Sequence, residues 1–301
     1  MAPTVCDFSQ GSAVEWFAGG VASSFFSVVY ILAPVWILFC SLAIVVAPRN
    51  SITHAAWVPL LISICVPPIA APWLLRLWLF QCLPKYFQYK EILEIDDASL
   101  RERMKQRPFI FTALPHGVIS FGGICSAVVR ASSPVLLEMP TAAASVILKF
   151  PFMKNVLGVF GLVDASKGPL MKRLRANKHV VLYLGGIAEL FLFSTELILC
   201  VKTGWLTCVT QACTLSPPTH TPTHTRAHKQ QVSFTLFWGL FGLPIPRPRP
   251  ILYVRGLPLG LPKVIILITI WHGKYVAEVE RLYKTYQVHN VDYKSKPLEI
   301  Y

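Results

Sequence analysis

The sequence predicts an α/β protein in two parts: an N-terminal transmembrane helical hairpin (residues 1–83) followed by a membrane-associated α/β domain (84–301). Three observations predict it. Residues 21–48 run without a charged side chain, longer than the roughly 20 residues a helix needs to cross a hydrocarbon core. The 301 residues are 54% hydrophobic and only 14% charged, with a mean hydropathy of +0.53, too apolar for an ordinary soluble domain. From Pro84 onward, charged stretches alternate with short apolar runs, the pattern of strands and helices in succession.

In chain order, the first residues carry Asp7 and Glu15 but no Lys or Arg before position 16, which argues against a cleaved secretory signal with a positive leader. After 21–48 comes a polar turn, Arg49, Asn50 and Ser51, then a second apolar run over 55–75. Pro59, Pro67, Pro68 and Pro72 remove helical hydrogen bonds from that run, so it crosses as a broken helix or re-enters. The short connector suits a tight hairpin. The basic residues that follow (Lys85, Lys90, Arg101, Arg103, Lys105, Arg107) then put both chain ends in the cytosol. In the competing arrangement, one crossing is followed by an interfacial segment and the N-terminus is lumenal.

Within the second part, residues 108–114 (PFIFTAL) suit a buried strand, and 117–131 a helix starting right after it. Pro169 in a first helical turn opens a basic helix through Lys178, and 179–184 (HVVLYL) is a second buried strand ending in Gly185 and Gly186. Residues 214–231 (TLSPPTHTPTHTRAHKQQ) are a Thr, His and Pro repeat with almost no apolar content. They read as a linker, so the domain is expected to be interrupted by a disordered stretch at 201–231. Residues 263–271 (KVIILITIW) are apolar but about ten residues too short to span a bilayer.

The 28 Lys and Arg against 15 Asp and Glu favour an anionic partner, whether headgroups, phosphates or nucleic acid, and charge alone does not choose among them. The eight cysteines are scattered rather than arranged as a disulfide framework, which suits a reducing compartment. The sharpest chemical candidate is His116, flanked by Pro115 and Gly117, at the end of the first strand and the start of a helix. There an imidazole can take a proton near neutral pH while unpaired N–H groups stabilise an oxyanion. The bland alternative is a turn histidine with no role. Residues 149–178 hold Lys149, Lys154, Lys167, Lys172, Arg173, Arg175 and Lys178 against the single acid Asp164, enough for a polyphosphate carrier or for a face lying on anionic lipid. Gly185 and Gly186 let a backbone approach a ligand closely. Glu189 either orients His116 or the acceptor hydroxyl, or caps a helix.

Other classes lack their markers: there is no G-x-S-x-G elbow, P-loop or G-x-G-x-x-G. Cys208, Cys213, His220, His224 and His228 match no zinc-finger spacing, and no metal site is expected. Cys125, in the apolar helix after His116, reads as packing.

Four ordered blocks, PHGVISFGG (115–123), FPFMKNVLGVFGLVDASK (150–167), VVLYLGGIAELF (180–191) and FWGLFGLPIPRPRPILYVRGLPLGLP (237–262), together resemble the type-2 diacylglycerol acyltransferase family. WHGKYVAEVERLYKTY (271–286) is similar to its closing helix. The resemblance implies an integral endoplasmic reticulum protein, catalytic domain facing the cytosol and lipid droplets left open as a further location, that transfers a fatty acyl group from acyl-CoA to diacylglycerol to give triacylglycerol. No cofactor is expected, acyl-CoA being a co-substrate. The partners are acyl-CoA, diacylglycerol and membrane lipids, with no nucleic acid, and an oligomer is left open. The presumed catalytic histidine of the family's HPHG motif falls on His116. Lys172, Arg173, Arg175 and Lys178 are assigned to the coenzyme phosphates, and Pro115, Gly185 and Gly186 to substrate binding.

The chain departs from the family at several points. Leu114 replaces the first histidine of that motif, and Phe121 stands where related H-x4-D acyltransferases carry an aspartate, so Glu189 is the candidate orienting partner. Tyr86, Phe87 and Gln88 stand in place of a YFP tripeptide. Residues 194–231 replace a basic helix and a core strand, and 263–270 replace a polar loop. The expectation is a sheet lacking one strand, in a chain that folds poorly or is an inactive membrane scaffold. Within enzymes, the alternative acceptor is a monoacylglycerol or a fatty alcohol.

Overall fold

In the computed structural model the described residues are 3–114, 119–133, 138–183, 197–199, 210–215, 239–260 and 268–300. Strand β1 (Thr4–Asp7) precedes the first helix, α1 (Ala13–Val46). Ser12 starts α1 through a capping box: its hydroxyl accepts from Glu15 N–H, and the Glu15 carboxylate accepts from Ser12 N–H at 2.8 Å. Asn50 starts α2 (Ser51–Cys65) by accepting from Ile52 N–H at 2.8 Å. Only residues 47–50 separate the two helices, so they form an antiparallel pair. Trp36 Nε1 donates to the Ala56 carbonyl and Trp57 Nε1 to the Cys40 carbonyl, each at 3.2 Å. Among the described residues α1 is the one helix long and apolar enough to cross a membrane. Helix α2 tolerates Pro59 but stops before Val66, Pro67 and Pro68, and its 15 residues reach only about 22 Å at 1.5 Å per residue.

A 3-10 turn (Pro72–Arg76) leads to two single-turn helices, α3 (Trp78–Gln81) and α4 (Leu83–Tyr86). The first half of α1 lies directly on them. A Cβ on Gly19 would come within 2.3 Å of the Cys82 carbonyl oxygen, so glycine is what permits the approach. Strand β1 pairs antiparallel with β2 (Lys90–Leu93). Strand β1 and the α1 residues Ala22 and Phe26 thus pack with elements that follow residue 83.

The remaining elements are α5 (Asp97–Gln106), β3 (Ile110–Leu114), α6 (Phe121–Val129), β4 (Thr141–Ala143), α7 (Met153–Gly158), β5 (Leu162–Asp164), α8 (Lys167–Arg175), β6 (Val180–Tyr183), β7 (Leu197–Leu199), β8 (Thr210–Leu215), β9 (Leu252–Arg255), α9 (Ile268–Tyr286) and β10 (Leu298–Ile300). Eight strands form one mixed sheet in the order β1-β2-β9-β8-β3-β6-β4-β5, and β7 and β10 form a parallel pair apart from it. From β8 to β5 the strands are parallel, and β9 runs antiparallel to β8. Alternation along β2 and β9 divides the core. Ile92, Leu252 and Val254 join α5 and α9 on one face, while Tyr89, Ile251 and Tyr253 join α1, α4 and α6 on the other.

Several sequence expectations shift. The helix expected from 117 starts at Phe121, with residues 115–118 outside those described. The basic helix begins at Lys167, two residues before Pro169, and ends at Arg175 because Asn177 turns the chain with φ of 55°. The closing helix begins at Ile268, inside the apolar stretch 263–271. The missing strand is not missing: Thr210–Leu215, from the segment expected to be disordered, is β8, hydrogen-bonded between β3 and β9. Ladder pairing is made by backbone groups, which is how a segment of this composition joins the sheet. Residues 216–231 lie outside those described.

Candidate functional site

Strands β3 and β6 are parallel neighbours in the register Ile110↔Val180 to Ala113↔Tyr183, so both end at the same edge of the sheet. The chain leaves β6 at Tyr183, paired with Ala113, and β3 one residue later at Leu114, on strands about 4.8 Å apart. Pro115, His116 and Gly117 follow the first strand end, and Gly185, Gly186 and Glu189 the second. All six lie outside the described residues. What is fixed is their point of departure: two segments leaving adjacent strands on one side, the usual location of ligand sites in sheets with parallel strands.

Helix α6 also begins at this edge. Ser120 is its N-cap residue, yet its side chain makes no capping bond and lies buried beside the Tyr183 hydroxyl. Tyr183 closes β6 with its phenol against the first turn of α6. A Cβ placed on Gly123 would lie 1.8 Å from Tyr183 Oη and 3.1 Å from Ser120 Oγ, so both hydroxyls converge on that glycine. Burial pushes the Tyr183 phenol up to about 12, with Ser120 pulling weakly the other way, so it stays protonated and able to donate at neutral pH. Two hydroxyls and a helix start are donors of the kind that stabilise developing negative charge on oxygen. Ser120 and Tyr183 belong to no catalytic sequence motif. The available signal was their position at a strand end and a helix start flanking the same edge.

The far end of α6 is held by a buried ionic network that no motif announces. Arg130 NH1 and NH2 each donate to a different Glu91 carboxylate oxygen at 2.6 Å, and Tyr89 donates to Glu91 at 2.6 Å. Asp97 accepts from Arg255 and lies 3.5 Å from Arg130. Burial opposes ionisation of Asp97, but Arg130 and Arg255 outweigh it and keep the carboxyl below its ordinary range. A lone acid inside the KEIL strand and a lone Arg ending an apolar helix were the sequence clues.

The predicted basic cluster sits elsewhere. Lys172, Arg173 and Arg175 end α8, and Lys178 precedes β6, so they are at the edge where strands begin. Arg173 Nε donates to the His179 carbonyl at 2.7 Å, and His179 Nδ1 accepts from Phe109 N–H, just before β3, at 3.1 Å. One strand length, about 17 Å for the five residues of β3, separates this end from Leu114. Arg173 is spent on the turn, whereas Lys172, Arg175 and Lys178 are exposed. Lys154 is engaged too, donating to the Ile64 carbonyl at the base of the hairpin. Cys125 packs fully buried in α6, and His220, His224, His228 and Cys208 lie outside the described residues.

No protein-family profile matches the chain, and no solved structure matches it.

Proposed function

We propose that the chain is an acyl-CoA-dependent O-acyltransferase that forms triacylglycerol from diacylglycerol at the cytosolic side of the endoplasmic reticulum membrane. The observation that carries the reading is the adjacency of β3 and β6: the segment with His116 and the segment with Gly185, Gly186 and Glu189 leave neighbouring strand ends. The apolar helix α1 shares a packed cluster with α6 through Ala22 and Phe26, which sets this edge beside the lipid-compatible part of the molecule.

In the mechanism, His116 removes the proton from the acceptor hydroxyl as its oxygen attacks the thioester carbonyl carbon, and Glu189 orients the imidazole. The carbonyl oxygen becomes an oxyanion, stabilised by the hydroxyls of Ser120 and Tyr183 and by the start of α6. The intermediate collapses with cleavage of the C–S bond, and the leaving thiolate takes the proton back from the imidazolium. The products are the ester and free coenzyme A, with no acyl-enzyme. Lys172, Arg175 and Lys178 bind the coenzyme phosphates, and the extended pantetheine arm spans the strand length between them and His116.

The test is formation of labelled triacylglycerol from labelled acyl-CoA and diacylglycerol by purified protein. His116→Ala should remove it, and undiminished turnover in that variant defeats the mechanism. Competition with monoacylglycerol and fatty alcohol decides the acceptor. The alternative, an inactive membrane scaffold motivated by the atypical segment 194–231, is favoured by absent turnover together with retained membrane localisation.

A further inference from the structure

Helix α1 is too long to be a simple span, and the part of it clear of the domain is too short to be one. Its 34 residues extend about 51 Å, against a hydrocarbon core of about 30 Å. Ala22 and Phe26 join the domain core, Ala33 is the last buried residue before Cys40, and Cys40 clusters with Ala56 and Leu60 of α2. The projecting piece, residues 34–46, therefore reaches about 20 Å. Helix α2 offers no more, since its last turn is already fastened to the domain: Ser63 accepts from Phe152 N–H and donates to Asn155, both at 2.6 Å. A hairpin of that reach leaves about a third of the hydrocarbon thickness unaccounted for, unless the domain surface around its base also enters the lipid.

That surface has the required composition. Beside the packed stripe, α1 exposes Val21 and Phe25, and next to it the 3-10 turn and α3 expose Trp73 (61%), Leu77 (49%) and Trp78 (56%). The ring of Phe25 lies 6.3 Å from that of Phe80 in α3, which makes the two surfaces continuous. Between residues 66 and 80 the sole charge is Arg76, and its Nε is turned to the Ala131 carbonyl at 3.0 Å. Tryptophans at the margin of an apolar face are the side chains that settle at headgroup depth.

We propose that Val21, Phe25, Trp73, Leu77 and Trp78 form a face embedded in one leaflet of a lipid bilayer, so that the globular domain is partly sunk into the membrane rather than tethered above it. The face lies on the side of the sheet that carries α1 and α6, which lets a lipid acceptor arrive laterally without passing through water. The claim goes beyond the acyltransferase reading and stands without it.

The experiment places the photoreactive residue p-benzoylphenylalanine singly at Trp73, Trp78, Leu38 and Val288 of the full chain in phosphatidylcholine vesicles, and identifies adducts by mass after irradiation. Leu38 reports the hairpin. Val288 is 54% exposed just after α9, on the opposite side of the sheet. Phospholipid adducts at 38, 73 and 78 but not at 288 are expected. Adducts at 38 alone, adducts at none of the sites, or cross-links from 73 or 78 to a second copy of the chain overturn the proposal. Catalytic activity is not read, so loss of the enzymatic reading leaves this test intact.

Discussion

The phenol oxygen of Tyr183 lies 1.8 Å from where a Cβ on Gly123 would stand, so the end of β6 and the first turn of α6 fit only because that residue has no side chain. Gly123→Ala must displace Tyr183 from a strand end, an overpacking expected to destabilise by about 1–3 kcal/mol. Tyr183→Phe in the same chain should recover part of the loss, but not all, because Cζ would still lie 2.9 Å from the new methyl. Unfolding midpoints of the single and double variants in detergent check this. Additive effects would show that the two residues do not compete for space.

The Glu91 and Arg130 pair predicts a larger effect. Both side chains are nearly excluded from solvent, at 2% and 7% exposure, so removing one partner leaves a buried charge without compensation. Arg130→Met is expected to cost about 3–5 kcal/mol, and Glu91→Leu combined with Arg130→Met markedly less than Arg130→Met alone. Denaturant titration of the three variants decides it. A double variant as unstable as Arg130→Met means that the uncompensated carboxylate is not the cause.

How far the sequence could foresee this arrangement depends on what each signal encodes. The apolar length of α1, the buried strands at 110–114 and 180–183 and the basic helix between β5 and β6 follow from hydrophobic patterning and proline placement, which are local properties. The strand β8 is not legible in the sequence, because the composition of its segment carries no strand signal. Its place in the sheet comes from backbone pairing with β3 and β9. The edge on which a residue falls is likewise topological. Lys172, Arg175 and Lys178 lie near His116 in a list of motifs, but a strand length from Leu114 in the fold, since α8 runs back to where β6 begins. Ser120 and Tyr183 escaped for the same reason: 63 residues apart in sequence, they meet only once β3 and β6 pair.

That displacement makes the role of the basic cluster testable. Replacing Lys172, Arg175 and Lys178 together with Gln removes exposed charges without touching the core. If they hold coenzyme phosphates, the KM for acyl-CoA should rise about tenfold or more while kcat changes little, since charge-assisted contacts far from the thioester contribute equally to ground and transition states. An unchanged KM, with weaker binding to anionic vesicles, would assign the cluster to lipid headgroups instead.

The opposite edge carries a pH dependence. Burial, reinforced by Arg173 and only partly countered by Glu138, holds the pKa of His179 below the ordinary 6.5. The neutral ring is the acceptor for the Phe109 N–H. Because the folded-state value is depressed, the contribution of His179 is complete above the unfolded value of 6.5. It is lost as pH falls below that value and through the folded one, where protonation converts the acceptor into a donor. The carboxylates with depressed values titrate lower, Asp7 and Glu15 at about 2, so they do not produce a fall in this window. Unfolding midpoints should therefore decline as pH falls from about 6.5 toward 5. His179→Asn presents an amide oxygen near the position of Nδ1 and does not titrate, so it should flatten the decline. His179→Ala leaves a buried N–H unpaired and should cost about 1–3 kcal/mol at neutral pH. If the Asn variant declines as steeply as the parent chain, the acid sensitivity arises at another group.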